Sequence, residues 1–283
     1  MDLTIEHRQA LQEKLEQVRK TLTGFDRVIV AFSGGVDSSL LAKLARDVLG
    51  DERVLAVTAD SPSLAQDDLQ IAQRVAALLH VKHHIIKTHE VEDDTYQANT
   101  PGRCYICKRE LFKELHVMAQ QQGYPVVLYG AIGDDTIAER PGQRAAAEAG
   151  VRAPLQEAGL AKWEVRILAQ RLGLPNWDRP QNACLSSRIP HGQEVTEAKL
   201  RQIEAAESWL RARGFTQVRV RHLGTRARIE VDPDGVTRFK NPVLCKATKS
   251  YLRGLGFASV SIDPAGYRPG GANRKTKKRS LAH

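Results

Sequence analysis

One short stretch constrains the fold of this 283-residue chain most, because it joins a strand-like run to a helical pattern through two glycines. Residues 33–39 read Ser-Gly-Gly-Val-Asp-Ser-Ser and follow the apolar run at 28–32. Such a turn directs backbone N–H groups and the positive end of a helix toward an anion, and glycine lets the backbone approach its oxygens. We call residues 33–39 the phosphate loop, since the pattern predicts a site for nucleotide phosphates, with Asp37 as a ligand for a bridging divalent ion.

The phosphate loop differs from the two best-known nucleotide-binding loops. No Gly-Lys-Ser or Gly-Lys-Thr follows it, which excludes the P-loop of kinases and GTPases, and it lacks the G-x-G-x-x-G spacing of dinucleotide folds. The alternative is a Gly-Ser turn that only caps a helix. That alternative accounts for the glycine pair but not for the whole heptad.

Strand-like apolar runs alternate with helical patterns in the first half of the chain. These runs cover residues 28–32, 54–58, 84–86 and 126–130. The alternation predicts an α/β fold with a doubly wound parallel sheet, in which ligands bind at the carboxyl ends of the strands. The phosphate loop, Ser61, Thr88 and Gly130 all fall at that edge.

The organisation changes between residues 177 and 189. A long helical pattern at 197–213, a hairpin of the runs 217–222 and 227–231, and a final helix and strand follow. We therefore expect two domains: a nucleotide-binding domain at 1–184, with a helical leader, and a smaller α+β domain for substrate binding or oligomerisation at 185–270. The basic residues beyond 270 are expected to form a flexible tail.

Further motifs give the chain a family resemblance. They are the Ser-Gly-Gly-x-Asp-Ser turn, Arg-Cys-Tyr-Ile-Cys-Lys at 103–108, Arg-Pro-Gly at 140–142, Ala-Cys-Leu-Ser-Ser-Arg-Ile-Pro-His-Gly at 183–192 and Val-Arg-Val-Arg at 218–221. With these motifs the chain resembles the LarE family of PP-loop ATP pyrophosphatases from about residue 15 to residue 269. That family makes the sulfur ligands of the nickel-pincer nucleotide cofactor of lactate racemase.

The resemblance implies a reaction and a nucleotide site. ATP, bound with Mg²⁺, adenylates the carboxylates of pyridinium-3,5-biscarboxylic acid mononucleotide, and sulfur then replaces oxygen. Asp37 takes a catalytic role through the metal. The implied ATP-binding residues are Ser33, Gly34, Gly35, Asp37, Ser38, Ser39, Ala59, Ser61 and Gly130.

Arginines are the candidates for the phosphate of the substrate. Arg219 and Arg221 share one face of a predicted strand and could clamp a phosphate through paired hydrogen bonds, although a solvated strand face is the alternative. The resemblance favours the clamp, with Arg188 and Arg268 as weaker candidates. Glu207 and Glu230 are expected to orient these arginines.

Three cysteines are expected to deliver sulfur. The resemblance places Cys184 at the position whose sulfur reaches the substrate, and Cys104 and Cys107 form a C-x-x-C chelate. The first interpretation is a [4Fe-4S] cluster held by these three thiolates, with one iron left for an extra sulfide. The alternatives are zinc with an outside ligand such as His191, or a redox pair beside a sacrificial Cys184 that becomes dehydroalanine. Cys245 lies in an apolar setting typical of a packed core residue.

Composition bounds the partners. Four cysteines in a chain of this length indicate a reducing compartment, and no apolar stretch reaches membrane-spanning length, so we expect a cytoplasmic protein. The net charge of +9 fits anionic small molecules, and aromatic residues at 5% argue against nucleic acid. The expected partners are the mononucleotide, sulfide or a cysteine-derived sulfur donor, and further copies of the chain. A tRNA-thiolating enzyme is the remaining alternative, but it should carry an RNA-binding module.

Overall fold

The computed structural model describes residues 4–135, 141–180, 182–268 and 271–273, so that Arg140 and the basic tail from residue 274 lie outside it. Within these residues, no helix is long and apolar enough to cross a membrane. The α-helices of the described residues are α1 (Ile5–Thr23), α2 (Val36–Leu49), α3 (Gln66–Leu78), α4 (Asp94–Gln97), α5 (Arg103–Gln122), α6 (Pro141–Glu148), α7 (Pro154–Glu157), α8 (Lys162–Arg171), α9 (Glu197–Arg211), α10 (Pro233–Arg238) and α11 (Pro242–Gly254). The strands are β1 (Val28–Ala31), β2 (Val54–Asp60), β3 (Lys82–Lys87), β4 (Val126–Tyr129), β5 (Val218–Leu223), β6 (Arg226–Val231) and β7 (Ser259–Ile262).

The chain folds into two compact units. The first unit contains Met1–Asp93 and Pro101–Asn182, and the second contains Asp94–Thr100 and Ala183–His283. The division falls two residues before the boundary expected from the sequence, so Cys184 belongs to the second unit and not to the nucleotide-binding domain. The physical reason is local, since its carbonyl accepts a hydrogen bond of 2.9 Å from Arg188 of the second unit.

The short segment Asp94–Thr100 joins the second unit through its side chains. The amide of Asn99 donates to the carbonyls of Pro190 and Gln193, each at 2.8 Å. The hydroxyls of Tyr96 and Ser186 lie 2.7 Å apart, and both residues are buried. Asn99 thus supplies hydrogen-bond donors to carbonyls of the loop that follows Cys184. The segment Asp94–Thr100 therefore stabilises that loop.

The first unit is built on a four-stranded parallel sheet, and the predicted doubly wound α/β fold is confirmed. The strand order is β3-β2-β1-β4, so the chain reverses its direction of winding between β1 and β4. Ligands of such sheets bind at the carboxyl ends of the strands beside this reversal. The phosphate loop follows β1 and Gly130 follows β4, so both lie at this position.

Alternating side chains of the sheet form two cores. Val28 and Val30 face the side covered by α1, α2 and α8, and their cluster includes the leader residues Leu11 and Leu15. Ile29 and Val127 face the side covered by α5, where Phe112 and Leu115 are fully buried. Burial on both faces explains why β1 is apolar at successive positions, as a central parallel strand requires.

The second unit has a three-stranded mixed sheet, as the predicted α+β fold requires. Strands β5 and β6 form the expected antiparallel hairpin, and β7 pairs in parallel with β6. Leu210 of α9 and Leu252 of α11 are fully buried in the same cluster as Val220 and Ile229 of the hairpin. All residues of β5 except the last are buried. The polar side chains of this strand, Arg219, Arg221 and His222, are therefore buried as well.

Candidate active site

The phosphate loop is held by its own serines. The N–H of Ser33 donates to Ser38 Oγ at 3.2 Å, and Ser38 Oγ donates to the carbonyl of Gly35 at 3.1 Å. Ser38 and Ser39 are buried, whereas Ser33 is exposed. Gly35 is the N-cap of α2 and offers no side-chain cap, so the first N–H groups of this helix are available to an anion. The Ser38 and Ser39 hydroxyls therefore have hydrogen-bond partners within the protein, whereas the first backbone N–H groups of α2 have no side-chain cap.

Two glycines allow the close packing around this loop. Gly34 has φ +66°, and a Cβ built there would lie 2.6 Å from Ala72 Cα of α3. A Cβ on Gly130 would lie 2.8 Å from the backbone N of Ser38. Gly130 therefore lets the end of β4 pack against the start of α2.

An ion pair missed by the sequence reasoning meets the loop carboxylate. Lys162, the first residue of α8, places Nζ at 2.6 and 2.7 Å from the two carboxylate oxygens of Asp37. The backbone N–H of Lys162 donates to Asp134 at 2.8 Å, so Asp134 caps α8. Lys162 lies far from the phosphate loop in sequence and has no motif of its own, and only the fold brings it to Asp37.

The residues expected near the adenosine lie at the end of β2, which contains Ala59 and is followed directly by Ser61. Ala59 is half-buried, and Ser61 is buried, with its Oγ 2.8 Å from Ser63 Oγ. Ser63 in turn donates to the buried carboxylate of Glu90 at 3.0 Å. A continuous chain of hydrogen bonds therefore fixes the loop after β2 at the ligand edge of the sheet.

A histidine supports the end of β1. Thr58 donates its single hydroxyl proton to the carbonyl of Phe32 at 2.7 Å, and His83 Nε2 lies 2.8 Å from the same hydroxyl. His83 must therefore donate from Nε2, which assigns its tautomer. Burial, followed by the charge of His84, lowers the pKa of His83, so the ring is neutral at physiological pH.

In the second unit, the two strand arginines are buried among ionised groups. Arg221 pairs with Glu230 at 2.8 Å and also donates to the carbonyl of Ser187 at 3.1 Å. Arg219 lies 5.3 Å from the centre of the Tyr267 ring. Burial, followed by the charge of Arg188, lowers the pKa of Arg219 to about 10. These positions contradict the solvated strand face that was the alternative from sequence.

Arg188 and Arg268 occupy different environments. Arg188 is fully buried and donates to both carboxylate oxygens of Glu207, each at 2.9 Å. Burial by itself would raise the pKa of Glu207, but Arg188 and its neighbours lower it below the ordinary value. Arg188 also donates a hydrogen bond to the carbonyl of Cys184 at 2.9 Å. Arg268 is exposed and lies 3.6 Å from Asp263.

The C-x-x-C pair begins α5. Cys104 is exposed and Cys107 half-buried, and a spacing of three residues puts both thiols on one side of the helix. Burial lowers the pKa of the adjacent Lys108, while the charges of Cys107 and Cys104 raise it. Gly142, from the Arg-Pro-Gly motif, packs against Lys108, where a Cβ would lie 3.1 Å from Cγ.

The donor chemistry of the cysteines suits a soft metal centre. Two thiolates at this spacing are ligands for iron or zinc. Among the residues that the structure describes, however, no three His, Cys, Asp or Glu side chains form a group able to hold a metal ion. Cys184 is half-buried in the second unit, and Cys245 packs half-buried against that unit's core. Cys104 and Cys107 at the start of α5 could therefore serve as two ligands of an iron or zinc centre. Such a centre would need at least one further ligand.

A Ser-Gly-Gly-x-Asp-Ser loop at the switch point of a parallel sheet defines the class: this is a PP-loop ATP pyrophosphatase. In agreement, the NAD synthase family model matches residues 8–115. The chain is 39% identical to the pyridinium-3,5-bisthiocarboxylic acid mononucleotide synthase of Lactiplantibacillus plantarum, over 92% of this chain and 94% of that protein. The chain therefore belongs to the LarE family, and it is an ATP-dependent sulfurtransferase.

The chain is also similar to two further proteins, over different shares of its length. An uncharacterized protein of Synechocystis is 44% identical over 95% of this chain and the whole of its own length. A glutamine-hydrolyzing GMP synthase component from Methanococcus maripaludis is 33% identical over 59% of this chain and 56% of its own length. The second likeness covers a smaller share of both chains, as is expected where a nucleotide-binding domain is shared and the remainder differs.

Proposed function

We propose that this protein converts pyridinium-3,5-biscarboxylic acid mononucleotide into its bisthiocarboxylic acid form. A substrate carboxylate attacks the α-phosphorus of ATP and pyrophosphate leaves, which gives an acyl-adenylate. Sulfide sulfur then attacks the acyl carbon and AMP leaves, so each round replaces one oxygen by sulfur. The observation that carries this proposal is the buried pair Arg219 and Arg221, found in a chain that also has the phosphate loop.

The phosphate loop supplies the charge stabilisation for adenylation. Its backbone N–H groups bind the leaving pyrophosphate, and Asp37 holds the magnesium ion, which neutralises developing charge on the phosphates. Lys162 forms an ion pair with the Asp37 carboxylate in the structure. Metal binding by Asp37 therefore requires the ammonium group of Lys162 to turn away. Ala59 and Ser61 contact the adenosine in this proposal. Gly130 contributes by bringing β4 close to the loop.

The buried arginines bind the phosphate of the mononucleotide. Burial has removed water from Arg219 and Arg221, so a phosphate that reaches them gains strong charge-assisted hydrogen bonds. Glu230 holds Arg221 in position, and Glu207 does the same for Arg188. In this arrangement Arg188 shapes the segment that carries Cys184, and Arg268 acts only at the exposed rim.

Sulfur delivery is assigned to the three cysteines. In this proposal Cys104, Cys107 and Cys184 would hold a [4Fe-4S] cluster, whose remaining iron would bind an added sulfide for transfer to the substrate. Arg188 fixes the backbone of the segment that carries Cys184, through a hydrogen bond to the Cys184 carbonyl. The competing route uses Cys184 as a sacrificial donor and leaves dehydroalanine. We assign the protein to the cytoplasm, as a homo-oligomer that draws on sulfide or a cysteine-derived donor.

The reaction itself is the first test. Purified protein, prepared without oxygen, is incubated with ATP, Mg²⁺, sulfide and the dicarboxylate mononucleotide. We expect AMP and pyrophosphate in equal amounts, and a product whose mass shows sulfur in place of oxygen. Release of pyrophosphate that does not depend on the mononucleotide, or binding of tRNA that weakens steeply with salt, would instead favour another substrate.

The arginine pair gives a quantitative prediction. In the variant Arg219→Ala with Arg221→Ala, we expect the Kd of the mononucleotide to rise at least tenfold, because one charged hydrogen-bond partner contributes about 1.5–3 kcal/mol. The Kd of ATP should change much less. Isothermal titration calorimetry measures both, and Arg226→Ala, at an exposed position of β6, is the matched control. Equal losses for both ligands would refute the assignment of these arginines.

A further inference from the structure

A buried asparagine holds the phosphate loop from behind. Asn176, which follows α8 in the first unit, is only 5% exposed. Its Nδ2 donates to the carbonyl of Gly34 at 2.8 Å and to Ser39 Oγ at 3.0 Å. The Ser39 hydroxyl is thus a partner of Asn176, which explains why it is fully buried beneath the loop and not exposed on it.

The orientation of this amide is fixed by chemistry. A carbonyl oxygen can only accept, so the NH₂ end of Asn176 must face Gly34. The opposite atom, Oδ1, is then buried, and no group in the described part of the chain donates to it. Burying an unpaired amide oxygen is unfavourable, so the donor end is the part of this side chain that the loop requires.

A second contact reaches the same carbonyl. Arg179 Nη1 lies 3.5 Å from the Gly34 oxygen, and its Nη2 donates to Asp68 at 2.5 Å. Asn182 also donates to Asp68 at 2.5 Å. Asp68 lies on α3, the same helix that Gly34 approaches at Ala72. The Gly34 carbonyl is therefore directed toward one side by two donors and by the packing of α3.

This contact controls where the loop points its donors. In a planar trans peptide, the carbonyl of Gly34 and the N–H of Gly35 point in opposite directions. Holding the carbonyl toward Asn176 therefore turns the Gly35 N–H toward the open face, where its acceptor is the hydroxyl of the exposed Ser33 at 3.3 Å. A loop free to rotate at this peptide would lose that donor for an anion.

We propose that Asn176 is a positioning residue for pyrophosphate binding, acting through the Gly34 carbonyl. The inference rests on the ATP chemistry of the proposed function. It assigns a role to a segment outside every motif that identified the family. Asn176 sets the direction of the Gly34–Gly35 peptide, and Arg179 makes a second, longer contact with the same oxygen.

The variant Asn176→Asp tests this role with almost no change of shape. It replaces a donor by a carboxylate oxygen that faces the Gly34 carbonyl, so we expect the KM for ATP to rise about tenfold, the usual cost of one lost buried hydrogen bond. We expect burial beside that oxygen to raise the pKa of the introduced carboxyl, against the opposing charge of Arg179, which contacts the same carbonyl. As the pH falls and the group takes up a proton, it can donate again, and the loss should shrink.

The recovery at low pH separates positioning from a general loss of structure. Pyrophosphate binding by calorimetry and the KM and kcat of pyrophosphate release are measured at several pH values. Gln202→Glu is the matched control, because Gln202 donates to the carbonyl of Leu255 at 2.7 Å in the second unit. We expect it to leave the KM for ATP unchanged. Asn176→Ala removes the donor without adding charge and should show the rise in KM without the recovery.

The outcomes distinguish the inference from the function on which it rests. If the unaltered protein binds neither ATP nor pyrophosphate, the proposed function fails. If the unaltered protein binds both and Asn176→Asp and Asn176→Ala bind equally well, only the positioning role is refuted. A loss of affinity in Asn176→Asp that stays constant while the introduced carboxyl takes up its proton also refutes it. Should Asn176→Asp fail to fold, Asn176→Ala carries the test.

Discussion

Replacing Gly34 by Ala should reduce ATP-dependent pyrophosphate release by at least about a hundredfold, the scale of loss seen when a reacting group is displaced by about 1 Å. The physical reason is twofold. Gly34 has a positive φ, a conformation that is unfavourable for alanine. The Cβ of an alanine at this position would also overlap the backbone of Ala72. Since α3 cannot move without disturbing the sheet, the loop has to shift.

A neighbouring glycine provides the control for this prediction. Gly35 has φ −78°, and a Cβ there would meet only Ser33 Oγ, at 3.3 Å. Gly35→Ala should therefore retain far more activity than Gly34→Ala, while both should keep the circular dichroism spectrum of the folded protein. Equal activity in the two variants would show that the shape of the loop at Gly34 does not limit phosphate binding.

Replacing Cys184 by Ser should abolish thiocarboxylate formation while pyrophosphate release continues. The serine oxygen has almost the same shape but cannot deliver sulfur or bind iron as a thiolate does. Product formation is followed by mass spectrometry, and pyrophosphate release by a coupled assay. Thiocarboxylate formed in the absence of the Cys184 thiol would overturn both proposed routes for sulfur.

Cys104→Ser and Cys107→Ser then separate the two routes. If the three thiolates hold a cluster, anaerobic protein should contain iron and labile sulfide, lose both in either variant, and turn over repeatedly with added sulfide. If Cys184 is sacrificed, the protein is colourless, and after one turnover it has lost the mass of hydrogen sulfide. Cys245→Ser is the control, because Cys245 packs against the core of the second unit. Iron-free anaerobic protein with a fully active Cys104→Ser variant would exclude the cluster.

The sequence predicted the nucleotide-binding fold because its signals are local. Each apolar run, like the glycine pair of the phosphate loop, is contiguous in sequence, whereas the strand order is known only from the structure. The hairpin of β5 and β6 was equally readable from its alternation. The likeness of Arg219 and Arg221 to a phosphate clamp came from family motifs, but their burial did not, since an arginine on a strand is usually exposed.

What the sequence could not supply depends on contacts between distant residues. Lys162 and Asp37 are separated by most of the first unit, and neither residue indicates the other. Asn176 lies in a stretch with no motif, and its role is visible only through the Gly34 carbonyl. The assignment of Asp94–Thr100 to the second unit was equally hidden, because a segment of seven residues has no periodicity long enough to assign it to a core.

The discontinuity of the second unit has a consequence for synthesis and for protein engineering. The chain enters this unit at Asp94, leaves it at Thr100 and returns only at Ala183. During translation, the segment Asp94–Thr100 therefore emerges long before the loop that Asn99 stabilises. Its contacts with the second unit can form only after that loop has been synthesised. A fragment cut at residue 183 would leave the carbonyls of Pro190 and Gln193 without the amide of Asn99. The second unit is thus not a transferable C-terminal module, and a graft onto another PP-loop enzyme would need both pieces of chain.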